Sequence, residues 1–157
     1  MVRNTRMQTA PFTDWVLVAN ASRARVFERD ETSQSLREVG DYLHPASRQK
    51  GEALSDDRPG HVHKGAASTA FAPHTDPRER EHVRFARELS QVLETAAAAR
   101  QMRGLVLIAS SPFLGELQAE LGDGARRLLK KAVALDLTSF SDRELERRVT
   151  GAIGEPA

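Results

Sequence analysis

Four of the chain's five histidines, His44, His61, His63 and His74, fall in one polar stretch rich in Pro and Gly. Imidazole binds metals and changes charge near neutral pH, so this stretch is the first place to look for chemistry. In extended backbone, residues i and i+2 point the same way, so His61 and His63 can share one metal, with His74 or His82 completing the set. An H-x-H pair is common, and a solvated histidine-rich loop is the plainer reading. No metal and no other cofactor is expected. The same stretch carries Arg48, Lys50, Arg58 and Lys64. Gly60 and Gly65 flank His61-Val62-His63-Lys64 and would let backbone approach a phosphate closely. Glu52, Asp56 and Asp57 offset most of that charge, and Phe71 is the nearby residue suited to base stacking. A second basic row, Arg23, Arg25 and Arg29, takes alternate positions of a strand and shares one face. Its plainer reading is a solvated face whose stems cover apolar surface. The candidate RNA- or anion-binding set is therefore Arg23, Arg25, Arg48, Lys50, Arg58, His61, His63 and Lys64, and no catalytic residue is assigned.

Carboxylates are placed poorly for a metal-dependent nuclease, which needs a cluster of them around two ions. Asp14 precedes the first apolar run, Asn20 stands near its end, and Ala109-Ser110-Ser111 closes the fourth run without an acid. Asp136 on the last strand is a lone candidate, more simply read as an Asp satisfied by backbone N–H groups. Ser110-Ser111-Pro112 joins a buried strand to a helix, where free amides can meet an anion. The glycines of a nucleophile elbow are missing there, and no dinucleotide fingerprint or P-loop is present.

Eight elements position these residues. Trp15 to Ala19 is a nearly continuous apolar run, as for a central strand buried on both faces. Asn20-Ala21-Ser22 supplies turn chemistry, and Arg23 to Arg29 returns as a second strand. Leu36 to Leu43 reads as a third strand, bulged near Gly40. Past the polar loop at 44–75, Thr75 or Asp76 can cap a helix that starts at Pro77. Phe85, Ala86, Leu89, Val92, Leu93, Ala96 and Ala97 form its apolar stripe, and it runs to about Met102 with Gly104 terminating it. Leu105 to Ala109 is a fully apolar strand, followed by a short helix from Pro112 to about Leu121. Gly122-Asp123-Gly124 reads as a turn, and Arg126 to Lys131 as one helical turn or loop. Lys131 to Leu137 is the last strand, and Ser141 caps a final helix to about Thr150. Residues 1–13 read as a flexible N-terminus, 14–150 as one domain, and 151–157 as a flexible tail. The order β-β-β-α-β-α-β-α predicts an α/β fold of ribonuclease-H-like topology, with a mixed five-stranded sheet and helices on its faces.

Composition narrows the function classes. The chain has 157 residues, a net charge of +1 and 29% charged residues, which describes a balanced surface and not a nucleic-acid polycation. It has no cysteine, so disulfides, thiolate metal sites and a Cys nucleophile are excluded. No apolar stretch reaches membrane-spanning length, and Met1 to Phe12 lacks a signal peptide's apolar segment, so a cytoplasmic location is expected.

The run Trp15 to Phe27, the His-rich middle, Thr75-Asp76-Pro77 with Glu81, and Phe85-Ala86-x-x-Leu89 together resemble the bacterial host-attachment protein family. Leu105 to Ala109, Phe113-Leu114-Gly115-x-Leu117 and Asp136-Leu137-Thr138 extend the resemblance over roughly 14–149. The family is named for proteins required for attachment to host cells, and it is similar to the middle domain of archaeal and eukaryotic peptide release factors, of ribonuclease-H-like fold. Asn20 stands where relatives often have Asp. The Gly-Gly-Gln loop of release factors is absent, so peptidyl-tRNA hydrolysis does not carry over. The resemblance implies a non-catalytic binding protein that contacts the ribosome, its RNA or tRNA. The alternatives are an attachment-related factor that binds another protein, and a metal-dependent hydrolase using the His-rich loop. Edge pairing through the third or last strand allows a weak homodimer.

Overall fold

The computed structural model describes residues 13–44 and 77–154. Arg48, Lys50, Arg58, His61, His63, Lys64 and His74 lie outside the described residues.

Three strands come first: β1 (Asp14–Asn20), β2 (Arg23–Arg29) and β3 (Leu36–Leu43). Helix α1 (Pro77–Ala98) leads to β4 (Gly104–Ala109). Helices α2 (Phe113–Glu120) and α3 (Asp123–Leu128) precede β5 (Leu129–Ala134), and α4 (Asp142–Ile153) closes the described chain. The sheet is mixed, in the order β3-β2-β1-β4-β5. β1 to β3 form an antiparallel meander, while β4 runs parallel to both β1 and β5.

Period-two alternation divides β1 between two cores. Trp15, Leu17 and Ala19 face α1, α2 and α3, together with Phe85, Leu89, Leu93, Leu105, Leu107, Phe113 and Leu117. Val16 and Val18 face α4, together with Phe27, Val106, Ile108, Leu145 and Val149. Burial on both faces explains why β1 and β4 are continuous apolar runs. β2 skips Val39 in its pairing with β3, placing a bulge beside Gly40. The Tyr42 ring lies over Gly40, where a Cβ would stand 2.8 Å from its Cε1.

The structure departs from the expected boundaries in four places. α1 ends at Ala98, and Gly104 is the first residue of β4. Arg100 supplies the left-handed residue instead, at φ 58°. Gln101 N–H then reaches Ala96 O at 2.9 Å and Arg100 N–H reaches Ala97 O at 3.0 Å, the paired bonds of a Schellman closure. α3 forms where a turn is expected at Gly122-Asp123-Gly124. Its cap comes from α1: Glu94 accepts from Ala125 N–H at 2.9 Å and from Gly124 N–H at 3.2 Å. β5 spans Leu129–Ala134 and not 131–137, so Leu135 is exposed and Leu137 enters the α4-side core after the strand has ended. α4 continues past Thr150 to Ile153. Ser141 stands at its N-cap position, but its side chain makes no capping hydrogen bond.

Candidate functional site at the carboxyl edge of the sheet

The parallel strands β1, β4 and β5 end at one edge of the sheet, and β2 starts and β3 ends there. Ligands of open α/β sheets gather at such an edge. Asn20 ends β1 and turns the chain into β2. Its Oδ1 accepts from Ser22 N–H and Arg23 N–H, both at 2.9 Å, an Asx turn built on the hairpin. Its Nδ2 donates to Asp136 Oδ2 at 3.0 Å and to Thr138 Oγ1 at 3.1 Å. Asp136 Oδ1 accepts from Thr138 N–H at 3.0 Å and from Thr138 Oγ–H at 2.7 Å. Partial burial works to raise the Asp136 pKa. Hydrogen bonds from the Thr138 hydroxyl, Asn20 and the Thr138 amide outweigh it and hold the carboxyl below its ordinary value. Asp136 lies just beyond β5, not within it, and both its oxygens already have donors. The arrangement ties the β1–β2 turn to the segment leading into α4.

Arg23 and Arg25 meet at this edge but differ in environment. Arg23 is half exposed and pairs with Asp41 of β3 at 3.0 Å, and that hydrogen bond raises its pKa. Arg25 is only 9% exposed. It bridges to Glu38 through Nε and Nη2 at 3.2 Å, while Nη1 donates to Phe140 O at 2.7 Å. Its guanidinium also sits 5.2 Å from the centre of the Phe27 ring. Arg29, further along the same face, is 7% exposed. The solvated-face reading is thus corrected for Arg25 and Arg29, while Arg23 stays half exposed. β2 lies inside the sheet with the core under α4 against this face, and Phe27 of that core stands between Arg25 and Arg29.

On the other face of the same edge, His44 follows β3 and Glu81 lies in α1. His44 Nε2 is 2.9 Å from Glu81 Oε1, with side chains 11% and 9% exposed. Glu88 Oε1 lies 3.8 Å from the other ring nitrogen, and the imidazole stacks on Phe85 at 4.9 Å. In the sequence, Glu81 figures only within the family resemblance. An acid at a position that the helical stripe marks as buried was the signal available. Nearby, burial and then the charge of Glu79 raise the pKa of Glu116 on α2.

Sequence reasoning also passed over Arg80, Arg84 and Arg87. Their i, i+4, i+7 spacing puts them in one row on α1, and all three are exposed. Arg84 lies 3.8 Å from Glu81, and Arg87 pairs with Glu120 at 3.2 Å. Asp14, considered as a metal ligand, opens β1 at the opposite edge of the sheet. It is buried between Lys130 at 3.0 Å and Arg103 at 3.5 Å. Among the described residues, no group of three or more His, Asp or Glu side chains could hold a metal ion. No helix among them is long and apolar enough to cross a membrane.

A mixed-sheet α/β protein whose described carboxyl edge is closed by its own hydrogen bonds is the class these residues define. The sequence matches the family described as "Protein required for attachment to host cells" over residues 15–149. It is also 30% identical over 108 residues to an uncharacterised protein of Rickettsia prowazekii (strain Madrid E), an alignment covering 68% of each chain. The chain belongs to the family of proteins required for attachment to host cells.

Proposed function

We propose that this member of the family is a non-catalytic, cytoplasmic binding protein that contacts RNA on ribosomal particles, and that its part in attachment is indirect. The observation that carries the reading is the exposed arginine row Arg80, Arg84 and Arg87 on α1. The row begins shortly after segment 45–76, whose sequence holds Arg48, Lys50, Arg58, His61, His63 and Lys64. At the same carboxyl edge but on the other face of the sheet, Arg23 can exchange Asp41 for a phosphate, while buried Arg25 holds the edge in shape. The same proposal includes a ribonuclease-H-like fold related to the release-factor middle domain. The sheet order β3-β2-β1-β4-β5, with β4 and β5 parallel to β1, supports that relation.

The test is sedimentation of native protein over a ribosome gradient at low and high salt, with a salt titration of binding to purified ribosomal RNA. Co-migration that salt reverses is expected. The triple change Arg80→Ala, Arg84→Ala, Arg87→Ala is expected to reduce the slope of log affinity against log salt by roughly 2, at about 0.7 per neutralised phosphate. Absent or salt-independent binding, or a triple variant with an unchanged slope, overturns the reading.

A further inference from the structure

We propose that the cleft between the second half of α1 and the sheet receives one unstacked base of a single-stranded RNA whose phosphates lie on the arginine row, an inference that rests on the RNA-binding reading above. The cleft has a volume of about 490 Å³, inside the range of roughly 300–1,000 Å³ usual for small-ligand sites. Trp15 of β1 and Tyr42 of β3 supply two aromatic rings. Glu88, Gln91 and Thr95 of α1, with Gln101 beyond its end, supply the polar rim.

Polar groups at the carboxyl edge are satisfied by one another, and those of the cleft are not. Trp15 is 8% exposed, and its buried Nε1–H has no hydrogen-bond partner among the described residues. A buried indole N–H ordinarily finds an acceptor, and leaving it without one costs stability. The side chains of Gln91, Thr95 and Gln101 are exposed and also make no hydrogen bond among the described residues. Because Trp15 Nε1 is covered, a ligand reaches it only as a lining side chain turns aside, and no hydrogen bond holds these three in place.

Charge selects the occupant. No lysine or arginine lines the cleft, and its charged group is Glu88, so a phosphate is turned away. The Glu88 side chain is 58% exposed, with Oε1 3.8 Å from His44 Nδ1. A nucleobase is flat and uncharged; its faces stack on aromatic rings and its edges carry both donors and acceptors. The indole N–H, the carboxylate and the glutamine amides are complements to such an edge. The approach lies on the same helix. Arg80, Arg84, Arg87, Gln91 and Thr95 follow one another at helical spacing, so the basic row continues into the rim of the cleft. Arg87 and Gln91 are about one turn apart, roughly 6 Å along the axis. A strand held by its phosphates on the first half of the row thus has a base beside the second half, while Glu88 keeps the backbone out.

Trp15 is the chain's one tryptophan, so its fluorescence reports on this cleft alone. The experiment titrates the full chain with a short single-stranded RNA, and with an abasic strand carrying the same number of phosphates. Both strands are expected to bind with the same salt slope, the RNA more tightly, and the RNA alone to quench Trp15. Tyr42→Ala, with circular dichroism unchanged, is expected to weaken RNA binding about ten-fold while leaving the salt slope and the abasic strand unaffected. Gln91→Ala, on the exposed face of α1, is expected to weaken it about three-fold and serves if Tyr42→Ala does not fold. RNA that binds with the expected salt slope but leaves Trp15 unquenched, binds no better than the abasic strand, or is indifferent to both variants overturns the base site and leaves the arginine row standing. Binding of neither strand overturns the arginine row, and the base site with it. Quenching by an arginine-rich peptide without quenching by RNA overturns the proposal in favour of a cationic occupant.

Discussion

Replacing Asn20 with alanine removes four hydrogen bonds of 2.9–3.1 Å: two that form the turn into β2, and two that hold Asp136 and Thr138. A hydrogen bond contributes about 1 kcal/mol net, and the partly exposed ones are replaced in part by water. Asn20→Ala is therefore expected to cost about 2–3 kcal/mol, or roughly 5–10 °C in Tm for a domain of this size. Asn20→Asp is the sharper test. It keeps the two backbone acceptor bonds but aims a carboxylate oxygen at Asp136 Oδ2, now 3.0 Å from Asn20 Nδ2. Two carboxylates at about 3 Å cannot both ionise, so the pair binds a proton that neither group binds in the unfolded chain at neutral pH. The sign follows from linkage. A raised folded-state pKa gives stability that is present at low pH and lost as pH rises through it. Wild-type Asp136, whose pKa is lowered, contributes stability above the ordinary carboxylate range and loses it only as pH falls through its depressed value. Asn20→Asp should therefore be destabilised relative to the wild type at pH 7, and the difference should shrink toward pH 5. Millimolar Mg²⁺ or Mn²⁺ should restore part of the loss at pH 7, by screening the pair. Thermal melts from pH 5 to 8, with and without the cation, make the measurement. An Asn20→Asp variant as stable as wild type at pH 7, or with the same pH profile, would refute the view that this network holds the edge.

Three further changes test the packing around the site. Gly104→Ala places a Cβ 2.5 Å from Lys130 Cε and 2.8 Å from Asp14 Oδ1. The lysine must swing off a buried carboxylate, for a loss of about 1.5–3 kcal/mol, and a urea-denaturation cycle should show a smaller cost in a Lys130→Ala background, where only the contact with Asp14 remains. Glu94→Ala uncaps α3, costing about 1 kcal/mol and speeding hydrogen exchange at the Gly124 and Ala125 amides; unchanged exchange would contradict the cap. Arg100→Gly relieves a left-handed residue at φ 58° and should raise stability by up to about 1 kcal/mol, read as an upward Tm shift.

Much of the scaffold is legible from pattern alone. β1 and β4 declare themselves as uninterrupted apolar runs, because strands covered on both faces need no alternation. The stripe of α1 predicts which side of the helix is buried, down to Phe85, Leu89 and Leu93. What escapes pattern is what depends on distant partners. Nothing local says that Glu94 will cap α3, because the acceptor and the helix it starts are joined only in space. β5 ends early because Leu137 serves the core under α4 after leaving the strand, so its period-two spacing misleads. The candidate site shows the same division. Asn20 is recognisable as a turn residue, but its bonds to Asp136 and Thr138 cross more than a hundred residues. The alternating arginines of β2 look like a solvated face, yet Arg25 and Arg29 are buried on the side of the core under α4.

The contact between His44 and Glu81 has a consequence for how this domain can vary. These residues stand just before and just after segment 45–76, and they are held 2.9 Å apart against Phe85. The ends of that segment are therefore joined by the scaffold itself. Once ends are fixed together, the entropy of closing the chain between them grows only with the logarithm of its length. Lengthening, shortening or replacing what lies between should leave the sheet and α1 nearly as stable as before. Selection can then rewrite the segment's sequence and reach for a new partner without renegotiating the fold beneath it.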